Sequence, residues 1–156
     1  MFGNTRSLEE IDFARIMECC EEGKFLEMMA NADVVSIVNW TMIPKMTSIL
    51  VELVDRVLPN LPPRDTRSFF FDLTDPAKRS KDDIFEVLQV ISRFQAHTEA
   101  TLGLNYNEAL QVCETLGLNG GDKDEESLKR IAKEIRRKLD ISCELARAIG
   151  SFFCSL

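Results

Sequence analysis

The sequence predicts an α/β fold built on a parallel sheet, and three short apolar runs are the evidence. Val34-Val35-Ser36-Ile37-Val38, Phe69-Phe70-Phe71 and Thr101-Leu102-Gly103-Leu104 each end in a polar residue, respectively Asn39, Asp72 and Asn105. Turn-forming residues bound the runs, and long amphipathic stretches alternate with them. That is the pattern of buried parallel strands in βαβ units. Ligands of open α/β sheets bind beyond the carboxyl ends of the strands, so these three ends are where chemistry is expected.

Each element follows from local signals. Ser7-Leu8-Glu9-Glu10 reads as a capping box that opens a helix through about Glu21, with Leu8, Ile11, Ile16 and Cys19 or Cys20 on its apolar face. A short helix near Phe25 to Ala30 leads into a first strand from Asp33 to Val38. Pro44 suits the first turn of the next helix, where a missing N–H costs nothing. Met46, Ile49, Leu50, Leu53, Val54 and Val57 give that helix one buried face, and Pro59, Pro62 and Pro63 stop it. The second strand, Ser68 to Phe71, meets the turn Asp72-Leu73-Thr74-Asp75-Pro76. Ser80 then caps a helix with Ile84, Val87, Leu88, Ile91 and Phe94 on its inner stripe. The third strand ends at Asn105, the helix after it carries Ala109, Val112, Cys113 and Leu116, and Gly117 closes that helix. After the loop Gly120-Gly121, acids at Asp122, Asp124, Glu125 and Glu126 begin a helix that ends in Lys129, Arg130, Lys133, Arg136, Arg137 and Lys138. Anions first and cations last suit the helix dipole, so this is expected to be a solvated face and not a phosphate-binding stripe. Cys143 to Ile149 reads as a further helix inside an apolar tail, 141–156.

Composition narrows the function. With 156 residues the chain fits one domain, 1–156, able to bury a core without disulfides or metal. Its formal net charge of −7 argues against a nucleic-acid partner, which selects a basic face. The five cysteines follow no ligand spacing and only His97 could join them, so reduced structural thiols in a cytoplasmic protein are expected. His97 itself reads as the cap of a helix end. No apolar run reaches membrane-spanning length, so no membrane partner is expected.

The phosphate loops G-x-x-x-x-G-K-[ST] and G-x-G-x-x-G and the elbow G-x-S-x-G are all missing, which removes the common enzymes of α/β sheets. The strand ends remain. Asn105 and Glu108 stand three apart at a helix start, where they form either a capping box or a site in which the carboxylate holds water on Mg²⁺. Asp72, with Arg79 after the loop, could meet a substrate hydroxyl and a phosphate, or could simply build the turn. Asn39-Trp40 places an indole either in rim packing or beside a ligand.

Taken together, these strand ends resemble the middle of the PfkB family of carbohydrate kinases, the ribokinase-like fold. The resemblance runs from about Ala32 to Leu118 and is strongest in Phe70-Phe71-Asp72-Leu73-Thr74-Asp75-Pro76-Ala77-Lys78-Arg79-Ser80 and Leu102-Gly103-Leu104-Asn105-Tyr106-Asn107-Glu108-Ala109. The second segment is similar to the family's N-x-x-E motif, which implies Mg²⁺ and ATP as cofactors, with Asn105 and Glu108 arranging them through water. Asp72, Arg79 and Asn39 are the implied substrate or phosphate contacts. The implied fold is a three-layer, Rossmann-like parallel sheet flanked by helices, here incomplete. The implied activity is phosphoryl transfer from ATP to a sugar hydroxyl. The family's early Gly-Gly sugar region is missing, as is its later Gly-Ala-Gly-Asp-like loop, which supplies base and anion hole. Gly120-Gly121-Asp122 lacks the small residues of that loop. No catalytic residue is therefore assigned, and the chain alone is expected to be inactive. The alternative from another class is a non-catalytic α/β module that binds a protein or itself, through exposed sheet edges or the Phe152-Phe153 tail.

Overall fold

The computed structural model describes residues 6–120, 124–141, 143–148 and 151–155. The amino-terminal helix is broken where the sequence suggested one run. A single turn, α1 (Arg6–Glu9), is followed by α2 (Phe13–Cys20) and α3 (Glu22–Asn31). The break falls at Asp12, whose backbone is extended and whose carboxylate accepts the Arg15 N–H at 3.0 Å. An aspartate with a free first-turn amide three residues on is a stronger start signal than a continuing apolar stripe. α3 begins three residues before Phe25, across Glu21, which takes a φ of 55°.

Five strands form one sheet in chain order: β1 (Val34–Ile37), β2 (Ser68–Asp72), β3 (Glu99–Asn105), β4 (Cys143–Ala148) and β5 (Ser151–Ser155). The first four are parallel and β5 returns antiparallel to β4. The helix expected over Cys143 to Ile149 is thus a strand. Its Glu, Leu, Ala and Arg have good helix propensity, but pairing with the otherwise open edge of β3 overrides so weak a preference. The sheet edges are consequently β1 and β5.

Crossovers carry α4 (Met46–Glu52), α5 (Lys81–Phe94), α6 (Tyr106–Thr115) and α7 (Glu125–Leu139). α4 runs on as a π-turn over Leu53–Val57 and a 3₁₀ turn over Leu58–Asn60, so Pro59 ends the helical run from within that last turn. With strands in chain order, right-handed crossovers put every helix on the same face of the sheet. Burial agrees. Phe69, Phe71, Ala100, Leu102 and Leu104 are buried beneath the helices, whereas Val34, Ser36, Glu99 and Asn105 on the alternate positions are exposed. Two layers are therefore present among the described residues, not the three that the resemblance implies, and the second sheet face is open. On that face Phe70 lies across Gly103: a Cβ at Gly103 would stand 2.6 Å from the Phe70 Cζ.

The core centres on Phe94 of α5, whose ring packs 5.1 Å from that of Phe69 and 5.0 Å from that of Phe71. α5 opens on a capping box between Ser80 and Asp83. α6 closes at Gly117, with φ of +67°, in a Schellman arrangement: Leu118 donates to the Cys113 carbonyl and Gly117 to that of Glu114. α7 is capped by Asp124. Residues 121 and 122 of the Gly-Gly-Asp segment lie outside the described residues, as do the side chains of the Phe152-Phe153 tail. Arg67, only 4% exposed, donates to the carbonyls of Ala30 and Pro62 and so satisfies an orphan carbonyl in the last turn of α3. No described helix is long and apolar enough to cross a membrane.

Candidate functional site

The carboxyl ends of β1, β2 and β3 are tied together by hydrogen bonds between side chains and backbone. β1 runs into Asn39, an exposed residue in left-handed conformation with φ of 61°, and then into the 3₁₀ turn Trp40–Met42. Thr41 joins this turn to the end of β2: its N–H and its hydroxyl both donate to the Leu73 carbonyl, at 3.1 and 2.8 Å. Trp40 is buried, and its indole N–H donates to the Thr47 hydroxyl at 2.9 Å. It is therefore rim packing.

β2 ends at Asp72, half-buried, whose Oδ1 accepts from both the N–H and the hydroxyl of Thr74, at 2.9 and 3.1 Å. Beyond Leu73, Thr74 and Asp75 both have φ of 56°. Left-handed non-glycine residues cost of order 1 kcal/mol or more each and persist only where surroundings hold them. Here Glu108 does the holding, since its Oε1 accepts the Asp75 N–H at 3.1 Å.

β3 ends at Asn105, which is extended and caps α6. Its Oδ1 accepts the Glu108 N–H at 3.0 Å, while Glu108 Oε2 accepts the Asn105 N–H at 2.8 Å. The capping box is thus formed, and Glu108, 9% exposed, also reaches the neighbouring strand end. The sequence suggested the box but not this second contact, because nothing local links Glu108 to a loop thirty-three residues earlier.

Arg79 does not meet Asp72. Its guanidinium lies 4.8 Å from the centre of the Trp40 ring and donates to the carbonyls of Trp40, Thr41, Ile43 and Pro44. It clamps the loop after β1. The signal was present in the sequence only as an arginine and a lone tryptophan on separate segments.

Asp72 and Asn105 do come together on the open side of the sheet. Asp72 is opposite Gly103 in register, two residues before Asn105, so both side chains stand on the same face of adjacent strands. The Asp72 Oδ2 and the Asn105 amide nitrogen carry no bond among the described residues, and so remain able to meet a ligand. Each Glu108 oxygen accepts one backbone N–H, which fixes the carboxylate in place. Its spare lone pairs allow a water-mediated contact. Among the described residues no group of three or more His, Cys, Asp or Glu side chains is placed to hold a metal ion.

Comparison with protein-family models, with curated proteins and with solved structures finds no match to this chain.

Proposed function

We propose that this chain carries the metal–nucleotide half of an ATP-dependent sugar kinase of the PfkB type, and that it does not transfer phosphate by itself. The supporting observation is the convergence of Asp72, Asn105 and Glu108 at the adjoining ends of β2 and β3, on the strand edge where α/β sheets bind ligands. The first turn of α6 offers a positive dipole end to phosphate oxygens. Asn105 would present its amide N–H groups to the same oxygens, and Asp72 would accept from a substrate hydroxyl. Glu108 would orient water around Mg²⁺, whose chemistry when bound is to neutralise charge on the transferring phosphoryl group. No side chain in this set is placed as base, so binding and positioning are assigned to this chain and not turnover.

Thermal denaturation with Mg·ATP tests this. A nucleotide at about 100 times its Kd stabilises by about 2.7 kcal/mol, an easily measured rise in Tm. The rise is expected in the native chain and lost in Asp72→Asn combined with Asn105→Ala. No rise with millimolar Mg·ATP would overturn the binding claim. Sugar phosphorylation near 1–100 per second, the range of kinases, would overturn the claim of inactivity.

A second reading, a non-catalytic interaction module, is favoured by the sheet face and the edge strand β1 that the described residues leave uncovered, with Val34 61% exposed. Under that reading Mg·ATP leaves the Tm unchanged.

A further inference from the structure

We infer that copies of this chain associate end to end, with the acidic α2–α3 pair of one copy against the basic outer face of α7 of the next. Independently of the kinase reading, charge is sorted along the helical layer. α2 packs on α3 and α4, α4 on α5, α5 on α6 and α7, and α6 on α7, so the α2–α3 pair and α7 form opposite ends.

At the first end, residues 18–27 hold four acids, Glu18, Glu21, Glu22 and Glu27, against Lys24. Glu18 and Glu21 are paired within their own helical segment, to Arg15 and Lys24, whereas exposed Glu22 and Glu27 make no ion pair among the described residues. At the other end, residues 129–138 hold six cations against Glu134. Lys129 and Arg130 bridge to Glu125 and Glu134, leaving exposed Lys133, Arg137 and Lys138 without an ion pair among the described residues.

The acidic end also offers a seat for long cationic side chains. An open groove of about 490 Å³ runs between α2 and α4, with Phe13 and Met17 on its floor; Arg56 in its lining lies over the Phe13 ring and is bridged to Glu52, so Met17 is the open apolar floor and Glu22 the wall carboxylate left to receive a cation. Lysine and arginine bury their aliphatic stems on apolar surface while the charged heads reach a carboxylate, and Lys133 and Arg137 of a second copy match that pattern. The two patches differ and lie at opposite ends, so the contact is heterologous and builds open chains instead of a closed dimer.

Sedimentation velocity on the whole chain tests this at low and high salt. Charge attraction reaches beyond ~20 Å at ~0.02 M salt and only ~4 Å at ~0.5 M. The weight-average mass is expected to at least double at the lower salt, rising with concentration without a dimer plateau, and to return to the monomer at the higher salt. Glu22→Lys with Glu27→Lys, or Lys133→Glu with Arg137→Glu, should each give a monomer, with the fold checked by circular dichroism. An equimolar mixture of the two reversed proteins should associate again, because one then has two acidic ends and the other two basic ends. If a reversal unfolds the chain, Glu22→Gln and Lys133→Gln are expected to show the same loss in weaker form. A monomer at low salt overturns the inference, as does association that ignores salt or survives both reversals.

Discussion

Glu108→Ala should destabilise this protein out of proportion to the size of the change. The carboxylate accepts two backbone N–H bonds, from Asn105 at 2.8 Å and Asp75 at 3.1 Å, and is 9% exposed. Hydrogen bonds to a charged group contribute about 1.5–3 kcal/mol each, and the abandoned N–H groups are poorly placed to recover water, so a loss of about 3–4 kcal/mol follows. That is a large share of the roughly 5–15 kcal/mol that holds an ordinary domain. Glu108→Gln keeps one acceptor oxygen and turns an NH₂ group toward the other amide, so it should cost about half as much. Asn105→Ala removes only the reciprocal cap, worth about 1 kcal/mol, and the double variant should be less than additive because both residues share one box. Urea unfolding followed by circular dichroism measures all four proteins. A Glu108→Ala variant within ~0.5 kcal/mol of the native chain, the range of an unremarkable surface change, would refute the clamp.

Three further outcomes are expected. Arg79→Lys removes a planar fork that serves four carbonyls and covers the Trp40 ring, at a cost of about 1–2 kcal/mol; Trp40 is the only tryptophan, so its fluorescence should shift with the urea midpoint, and a change in neither contradicts the clamp. Gly103→Ala drives a methyl into the Phe70 ring and should cost about 1–3 kcal/mol, with most of the loss recovered in the double variant with Phe70→Leu; a neutral single variant means the ring simply swings away. Acid should weaken the fold. Asp12, held by the Lys45 ammonium and the Arg15 amide, Asp33, held by Thr66 and Arg64, and Asp124, held by the Ser127 amide and hydroxyl, all have pKa values below the ordinary carboxylate range. The unfolded chain then binds more protons than the folded one in the window below about pH 4, so stability is present above it and lost as pH falls through the folded values. Urea midpoints at pH 7, 5 and 3 check the sign, and a rise on acidification from 5 to 3 would be the wrong one.

How much of this was legible in the sequence depends on the range of the determining contact. β1, β2 and β3, the helix caps at Ser80 and Asn105 and the glycine closure at Gly117 are set by residues within a few positions of one another, and each could be placed in advance. β4 could not, because Glu144-Leu145-Ala146-Arg147 has the composition of a helix and only the waiting edge of β3 makes it a strand. The missing third layer was equally hidden. Alternation of exposed and buried positions in β1 and β3 carries it, but Ser36, Thr101 and Gly103 are tolerated beneath packed helices as well as on an open face. At the site the chemical types were legible and their partners were not. Arg79 has the composition of a phosphate ligand and the geometry of a loop clamp.

The strand-end network bears on what the site can retain. A binding group is useful only if the fold holds it still and leaves some of its valence free. Arg79 fails the second condition, since carbonyls and an aromatic face occupy its guanidinium. Asp72 and Asn105 meet both conditions: one oxygen of each is fixed by local hydrogen bonds, while Asp72 Oδ2 and the Asn105 NH₂, on the same side of neighbouring strands, carry no bond among the described residues. Glu108 lies between these cases, with one bond to each oxygen and spare lone pairs at an almost closed surface. The experiments should separate them accordingly. Asp72→Asn should reduce any Mg·ATP response while barely moving the urea midpoint, Arg79→Lys should move the midpoint while sparing the response, and Glu108→Gln should do both.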